Sequence, residues 1–114
     1  MKITVQSIRF NADKKLLDFI QKKADKLDTF YDRIISGEVY LKLENVEDEA
    51  NKITEIKLML PGNQIFAKEQ RKTFEEATDL AIESLRKQIE KHKQKKTTAE
   101  AAKIAVLLEA TEGI

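Results

Sequence analysis

The stretch EVYLKLE, residues 38–44, alternates strictly between apolar and polar side chains. Successive side chains of a β-strand point to opposite faces of the sheet, so this alternation predicts a strand with one buried and one solvated face. Val39, Leu41 and Leu43 are the predicted inward residues. A sheet is therefore the expected scaffold, and the neighbouring segments are interpreted relative to it.

Two further strands are predicted downstream of this one. Residues 53–60 form the next strand, and a short return strand runs from Gln64 to about Glu69. The intervening Pro61-Gly62-Asn63 supplies proline followed by glycine, as a type II turn requires. Residues 45–51 form a polar, acidic loop. Three consecutive strands joined by short loops predict an antiparallel meander.

A strand and a helix are predicted upstream. The β-branched stretch KITVQSI, residues 2–8, is typical of a strand, and Asp13 is a suitable N-cap for the helix that follows. That helix is predicted from about Lys14 to Phe30, with Ser36-Gly37 as the break before the next strand. Residues at helical spacing give it an apolar face for the core: Leu16, Ile20, Ala24, Leu27 and Tyr31.

The polar side of this first helix divides into two charged stripes. Lys15, Lys22 and Lys26 follow one flank, and aspartates follow another. A solvated face with internal ion pairs is the ordinary interpretation of such a helix. A second basic stripe elsewhere in the chain favours a functional interpretation instead.

That second stripe lies in the stretch RKQIEKHKQKK, residues 86–96, which carries six cations and the single acid Glu90. It ends a second predicted helix that begins near Lys72 or Thr73. The apolar face of this helix contains Phe74, Ala77, Ala81, Leu85 and Ile89, with Gln88 beside them. Its cations follow two flanks, with Lys87, Lys91 and Lys95 on one and Arg86 and Lys93 on the other. The helix dipole favours cations in the last turns, which explains two or three of them but not six.

Charge is unevenly distributed along a chain whose net charge is only +1. Residues 1–69 contain 12 bases and 12 acids, and residues 70–96 contain 8 bases and 5 acids. Residues 97–114 contain 1 base and 3 acids. A local basic segment on a nearly neutral chain indicates a polyanion as ligand, with a nucleic acid backbone as the first candidate.

These elements predict an α+β fold of order β-α-β-β-β-α, in which two side-by-side helices cover one face of a four-stranded sheet. The arrangement is like that of double-stranded-RNA-binding domains. Side-by-side helices place Lys15, Lys22 and Lys26 in one groove with Lys87, Lys91 and Lys95. The domain is predicted to span residues 1–96, with a tail of residues 97–114. Within the tail, Thr97-x-x-Glu100 resembles a capping box for a short separate helix from Thr98 to about Ala110.

Several classes of protein are disfavoured by composition. The 114 residues contain no cysteine, so disulfides, thiolate metal sites and thiol nucleophiles are excluded. The only histidine, His92, falls toward the apolar face, where a packed or partly exposed histidine is expected rather than a catalytic base. We expect no enzyme activity, no cofactor and no metal site.

No apolar run approaches the roughly 20 residues of a membrane span, and we expect a cytoplasmic protein.

Three segments together resemble a known family. KLDTFYDRI (residues 26–34), EVYLKLE (residues 38–44) and RKQIEKHKQK (residues 86–95) are similar in order and spacing to segments of ribosome hibernation promoting factors and ribosome-associated translation inhibitors. The last contains Lys91-His92-Lys93, which is similar to the Lys-His-Lys core of the family's second helix. The resemblance covers residues 1 to about 96.

The resemblance implies a cytoplasmic protein that binds the small ribosomal subunit at the mRNA channel and decoding region, and so inhibits idle ribosomes in stationary phase or stress. It implies contacts to the ribosomal RNA backbone from both helices. The residues that carry over are Lys22, Lys23, Lys26, Arg86, Lys87, Lys91 and Lys93. Lys15 and Lys95 extend the same basic stripes. Long family members add a C-terminal dimerisation domain, and we expect this chain to be a short form without it.

Two alternatives stay open. The chain is a protein-interaction module, self-associating as a homo-oligomer through Ile104, Leu107 and Leu108 of the tail, or it is a generic binder of double-stranded RNA. Deletion of residues 97–114 separates the first alternative from ribosome binding, and competition with free duplex RNA tests the second.

Overall fold

The elements of the computed structural model follow the predicted order. The structure describes residues 1–8, 10–44 and 50–112, with side chains described as far as residue 93. Its elements are β1 (Lys2–Ile8), α1 (Lys14–Phe30), β2 (Ser36–Leu43), β3 (Lys52–Leu60), β4 (Asn63–Arg71) and α2 (Phe74–Glu112). The α+β class and the β-α-β-β-β-α order are therefore confirmed. The predicted acidic loop falls largely on residues 45–49, which lie outside the described residues.

The sheet has the strand order β1-β2-β3-β4. β1 pairs parallel with β2 through the α1 crossover, while β2–β3 and β3–β4 are antiparallel. Val5 lies opposite Val39, Val39 opposite Ile56, and Ile56 opposite Ala67. This row of apolar residues runs across all four strands on one face, which is the face that the helices cover.

Both helices bury their apolar stripes against that face. The buried core combines the predicted helix and strand residues, including Leu16, Ile20, Leu27, Val39, Leu41, Ile56, Leu58, Ala81, Leu85 and Ile89. Two buried hydroxyls also meet in this layer, because Thr54 Oγ1 of β3 lies 3.3 Å from Thr78 Oγ1 of α2. The pair satisfies two polar groups that would otherwise be costly to bury.

Local signals set the ends of the elements. Asp13 Oδ1 accepts from the Leu16 backbone N–H at 2.8 Å and caps α1 as predicted. α2 is capped by Thr73, whose hydroxyl accepts from the Glu76 backbone N–H at 3.1 Å. Gly62 has a φ of 73° in the two-residue connection between β3 and β4, the left-handed conformation expected of the glycine in a type II turn.

The start of β2 differs from the prediction, because Ser36 and Gly37 belong to the strand rather than to a break before it. Gly37 is buried, and a Cβ atom there would come within 2.6 Å of Ile3 Cδ1 and 2.8 Å of Leu58 Cδ2. The glycine therefore permits close packing of neighbouring side chains over the strand. A glycine that looks like a chain break in the sequence is here a requirement of packing.

The C-terminal region also differs from the prediction. α2 is one helix of 39 residues, so no separate helix begins at Thr98. Residues 94–112 contain neither glycine nor proline, so the backbone carries no strong signal that would end the helix near Thr97. Among the residues that the structure describes, no helix combines the length and the apolar character needed to cross a membrane.

Candidate nucleic-acid interface

A groove between α1 and α2 is the first part of the candidate interface. It has a volume of about 490 Å³ and is lined by Lys23, Lys26, Leu27, Thr29, Phe30, Asp79, Ile82, Glu83 and Arg86. The groove exists because both helices pack on the same face of the sheet and contact each other along their inner flanks. Its lining combines an apolar floor with charges of both signs.

Of the basic stripe predicted to face this groove from α1, only Lys26 lines it, so the prediction is wrong for Lys15 and Lys22. Lys26 is exposed and Lys23 is half-buried, and both line the groove. Lys23 Nζ lies 2.7 Å from a carboxylate oxygen of Asp79 on α2 and 5.4 Å from the centre of the Phe19 ring. Lys15 and Lys22 are also exposed. Helical spacing places them on the same flank of α1 as Lys26, but they do not line the groove.

On α2, the flank that meets α1 carries Arg86 and Lys93. Arg86 lines the groove, and its Cζ atom lies 4.9 Å from the centre of the Phe30 ring. Lys93 Nζ lies 4.4 Å from the same ring centre and donates to the Phe30 carbonyl oxygen at 3.2 Å. These contacts bring two cations of α2 to the C-terminal end of α1.

The opposite flank of α2 carries Lys87 and Lys91. They line a second depression of about 340 Å³ together with Glu69, Leu80, Glu83, Ser84 and Gln88. Both lysines are exposed. Gln88 fixes this side of the helix to the sheet edge by donating to the Phe66 carbonyl oxygen of β4 at 2.9 Å.

The prediction that Lys87, Lys91 and Lys95 share the α1 groove is therefore wrong for the two residues described. The buried stripe of α2 fixes its rotation, and that rotation directs Arg86 toward α1 and Lys87 toward β4. The side chain of Lys95 lies outside the described residues. The cations of α2 thus form two surfaces, called here the α1-facing flank (Arg86 and Lys93) and the β4-facing flank (Lys87 and Lys91).

Two acids, Asp79 and Glu83, moderate the positive potential of the groove. Asp79 pairs with Lys23, and Glu83 lines both depressions. A phosphate that enters the groove is repelled by these carboxylates, while a phosphate at its rim meets the outer cations. The arrangement therefore favours contact with RNA along the rims rather than deep insertion.

His92 packs beside the ring of Tyr31 at the end of α1. It is half-exposed, its ring meets that of Tyr31 edge-on with 6.2 Å between centres, and its Nδ1 lies 3.4 Å from Asn63 Nδ2. In the part of the chain that the structure describes, no three histidine or acidic side chains are grouped to hold a metal ion.

A pKa shift is found on the uncovered face of the sheet, away from the helices. The Tyr40 hydroxyl donates to the Glu38 carboxylate at 3.0 Å. This hydrogen bond is the main reason why the pKa of Tyr40 is raised, with smaller contributions from desolvation and from the neighbouring carboxylates.

Sequence reasoning missed the part that Phe30 has in this interface. The sequence favours core or helix-end packing for Phe30, and the structure confirms it, because Phe30 ends α1 and packs against the core. Its ring also lies beside two cations, which the sequence did not predict. Aromatic residues at the end of a basic helix are the only signal in the sequence, and that signal does not identify which cations the ring contacts.

The geometry defines the class of protein: a small α+β protein whose two helices present a basic surface. Such a surface is suited to binding the phosphate backbone of a nucleic acid. The chain belongs to the family described as sigma 54 modulation protein / S30EA ribosomal protein, whose model matches residues 3–97.

Similar relatives bear the name ribosome hibernation promoting factor. The protein from Klebsiella oxytoca is 30% identical over 95 residues, which cover 83% of this chain and 96% of that protein. The protein from Azotobacter vinelandii is 25% identical over 83% of this chain and 85% of its own length. The protein from Pseudomonas putida is 23% identical over 83% of this chain and 89% of its own length.

Two solved structures share the fold. A ribosomal subunit interface protein from Coxiella burnetii superposes with a TM-score of 0.74 at 21% identity, over 82% of this chain and 99% of that one. The N-terminal domain of Thermus thermophilus Protein Y superposes with a TM-score of 0.70 at 24% identity, over 81% and 99%.

Proposed function

We propose that this protein binds the small ribosomal subunit at the mRNA channel and decoding region, and that it inhibits translation by idle ribosomes under stress or in stationary phase. Its family membership and the shared name of its relatives support an association with ribosomes. A cytoplasmic location and a non-enzymatic mode of action are part of the same proposal.

The observation that carries the proposal is the grouping of cations on the helical side. Lys23, Lys26 and Arg86 line one groove, and Lys93 lies at the end of α1 beside them. Structured RNA is recognised largely through its backbone and its shape, and a rigid pair of basic helices suits that mode of recognition. No base-specific contact is needed for such a surface to occupy an RNA-lined channel and exclude mRNA from it.

The two flanks of α2 extend this surface beyond the groove. Helix α2 forms a ridge with cations on both sides, so that one stretch of RNA backbone contacts the α1-facing flank and another contacts the β4-facing flank. Each phosphate contact releases counterions, and the affinity is therefore expected to fall steeply as the salt concentration rises.

A sedimentation experiment tests the proposal. The purified chain is mixed with ribosomes from stationary-phase cells and followed through a sucrose gradient at low and high salt. We expect co-migration with the small subunit and with whole ribosomes at low salt, and inhibition of translation in a cell-free system. A chain that stays at the top of the low-salt gradient contradicts the proposal.

Two further arms address the alternatives. Deletion of residues 97–114 is expected to leave ribosome binding intact, because the proposed contacts lie in the domain of residues 1–96; loss of both binding and self-association would favour the self-associating module. An excess of free duplex RNA is expected to compete poorly, and efficient competition would favour the generic RNA binder.

A further inference from the structure

We propose that Phe30 is a positioning residue, which orders Arg86 and Lys93 for contact with phosphate groups. The inference rests on the proposed function for the identity of the RNA target. Phe30 is the last residue of α1, is half-buried and lines the groove between the helices.

The ring of Phe30 contacts two cations of the neighbouring helix. Arg86 Cζ lies 4.9 Å and Lys93 Nζ 4.4 Å from its centre. A cation near the face of an aromatic ring is attracted by the ring quadrupole. Arg86 and Lys93 are seven residues apart, which is about two helical turns, so one ring joins cations that the helix itself holds about 10 Å apart along its axis.

The backbone of Phe30 adds a second contact to Lys93. The ammonium group donates to the Phe30 carbonyl oxygen at 3.2 Å and lies 5.2 Å from the centre of the Tyr31 ring. Carbonyl groups in the last turn of a helix lack an intrahelical partner, and they form the negative end of the helix dipole. The end of α1 therefore holds Lys93 by three separate interactions.

Ordering these side chains lowers the conformational entropy that they lose when they bind RNA. Long arginine and lysine side chains lose considerable rotamer freedom when they are immobilised, and a side chain ordered beforehand loses less on binding. Contact with a ring face does not use the N–H donors of the guanidinium group, which stay available for phosphate oxygens. Among the described residues, Lys87 and Lys91 form neither an ion pair nor a cation–ring contact, which makes them an internal comparison.

Binding to purified small ribosomal subunits tests the proposal. Phe30→Leu removes the ring but keeps an apolar side chain of similar size, whereas Phe30→Tyr keeps the ring. We expect about a fivefold loss of affinity for Phe30→Leu and a change within about twofold for Phe30→Tyr. An unchanged affinity of Phe30→Leu overturns the proposal.

A double-mutant comparison separates positioning from a general loss of structure. In the background of Arg86→Gln and Lys93→Gln, the further change Phe30→Leu is expected to have almost no effect on affinity. If Phe30→Leu is equally harmful in that background, Phe30 does not act through these two cations and the proposal fails.

NMR relaxation of the free native chain gives a test that needs neither a stable variant nor a ribosome. The terminal methylene groups of Arg86 and Lys93 are expected to be more ordered than those of Lys87 and Lys91. Equal mobility of all four side chains overturns the positioning role. A chain that shows this order but does not bind ribosomes would contradict the proposed function while supporting the role of Phe30.

Discussion

The two flanks of α2 have similar charge but different surroundings. On the α1-facing flank, Arg86 and Lys93 lie against the Phe30 ring and beside the lysines of a second helix. On the β4-facing flank, Lys87 and Lys91 are exposed over the edge of the sheet. A count of cations along the sequence treats the two flanks as equivalent, but their surroundings in the structure differ.

The difference shows how tertiary packing changes the value of a charge. A cation beside other cations on a partner helix contributes to a common positive potential, and a cation ordered by a ring loses less entropy when it binds. Acids line both depressions, so the difference lies in the ring and in the neighbouring basic helix: a cation over the sheet edge, on the side of α2 away from α1, contributes less of both. The α1-facing flank should therefore dominate RNA affinity.

Reversing the α1-facing flank is expected to have the largest effect. Arg86→Glu with Lys93→Glu should weaken binding to the small subunit on the order of 100-fold. The slope of log affinity against log salt concentration should also become shallower, by the amount expected for the loss of about two phosphate contacts. Filter binding or sedimentation over a range of salt concentrations measures both quantities. The matched control is Lys2→Glu with Lys57→Glu, which changes net charge equally on the uncovered face of the sheet and should have little effect.

Reversing the β4-facing flank gives the direct comparison. Lys87→Glu with Lys91→Glu changes the net charge by the same amount, but the expected loss is only about tenfold because these cations lack the neighbouring helix. The same binding measurement applies. A loss as large as that for Arg86 and Lys93 would show that the two flanks are equivalent, and would contradict the ranking drawn from the structure.

Neutralising an acid in the groove should strengthen binding. Asp79→Asn removes a negative charge and releases Lys23 from its 2.7 Å ion pair, so affinity is expected to rise about two- to threefold. Asp18→Asn, on an exposed part of α1 outside the groove, is the control for the change in net charge. Equal gains from both variants would indicate that only net charge matters.

The smallest effect on binding is expected from the buried hydroxyl pair that links α2 to β3. Thr78→Val leaves the Thr54 hydroxyl buried without its partner and should cost about 1–2 kcal/mol of unfolding free energy, whereas Thr54→Val with Thr78→Val should be nearly neutral. Urea denaturation measures both. Ribosome affinity should be unchanged at temperatures where the variants are folded, and a loss would show that the rotation of α2 depends on this pair.

Most of the fold was predictable from local patterns. Strict alternation in residues 38–44 and helical spacing in α1 identify the buried faces, because the periods of strand and helix differ so clearly. The Asp13 cap and the Gly62 turn also follow from the chemistry of single residues. The role of Gly37 does not follow from local patterns, because the need for glycine comes from Ile3 and Leu58, which are distant in the sequence.

The candidate interface was only partly predictable. Helical spacing separates Arg86 from Lys87 by about 100° and so assigns them to different flanks of α2. It does not say which flank meets α1, because that depends on the direction of the helix and on the handedness of its packing against the sheet. The contacts of Phe30 with α2 depend on the same long-range geometry.

The sequence by itself determined the order of the elements, the faces that they bury and the concentration of cations near the middle of α2, since each of these follows from residue type and local periodicity. Only the tertiary structure decided which cations meet across the groove, which remain at the sheet edge and which aromatic ring orders them. Those outcomes depend on how two helices far apart in the chain are rotated and placed on one sheet, and that placement is set by packing in the shared core.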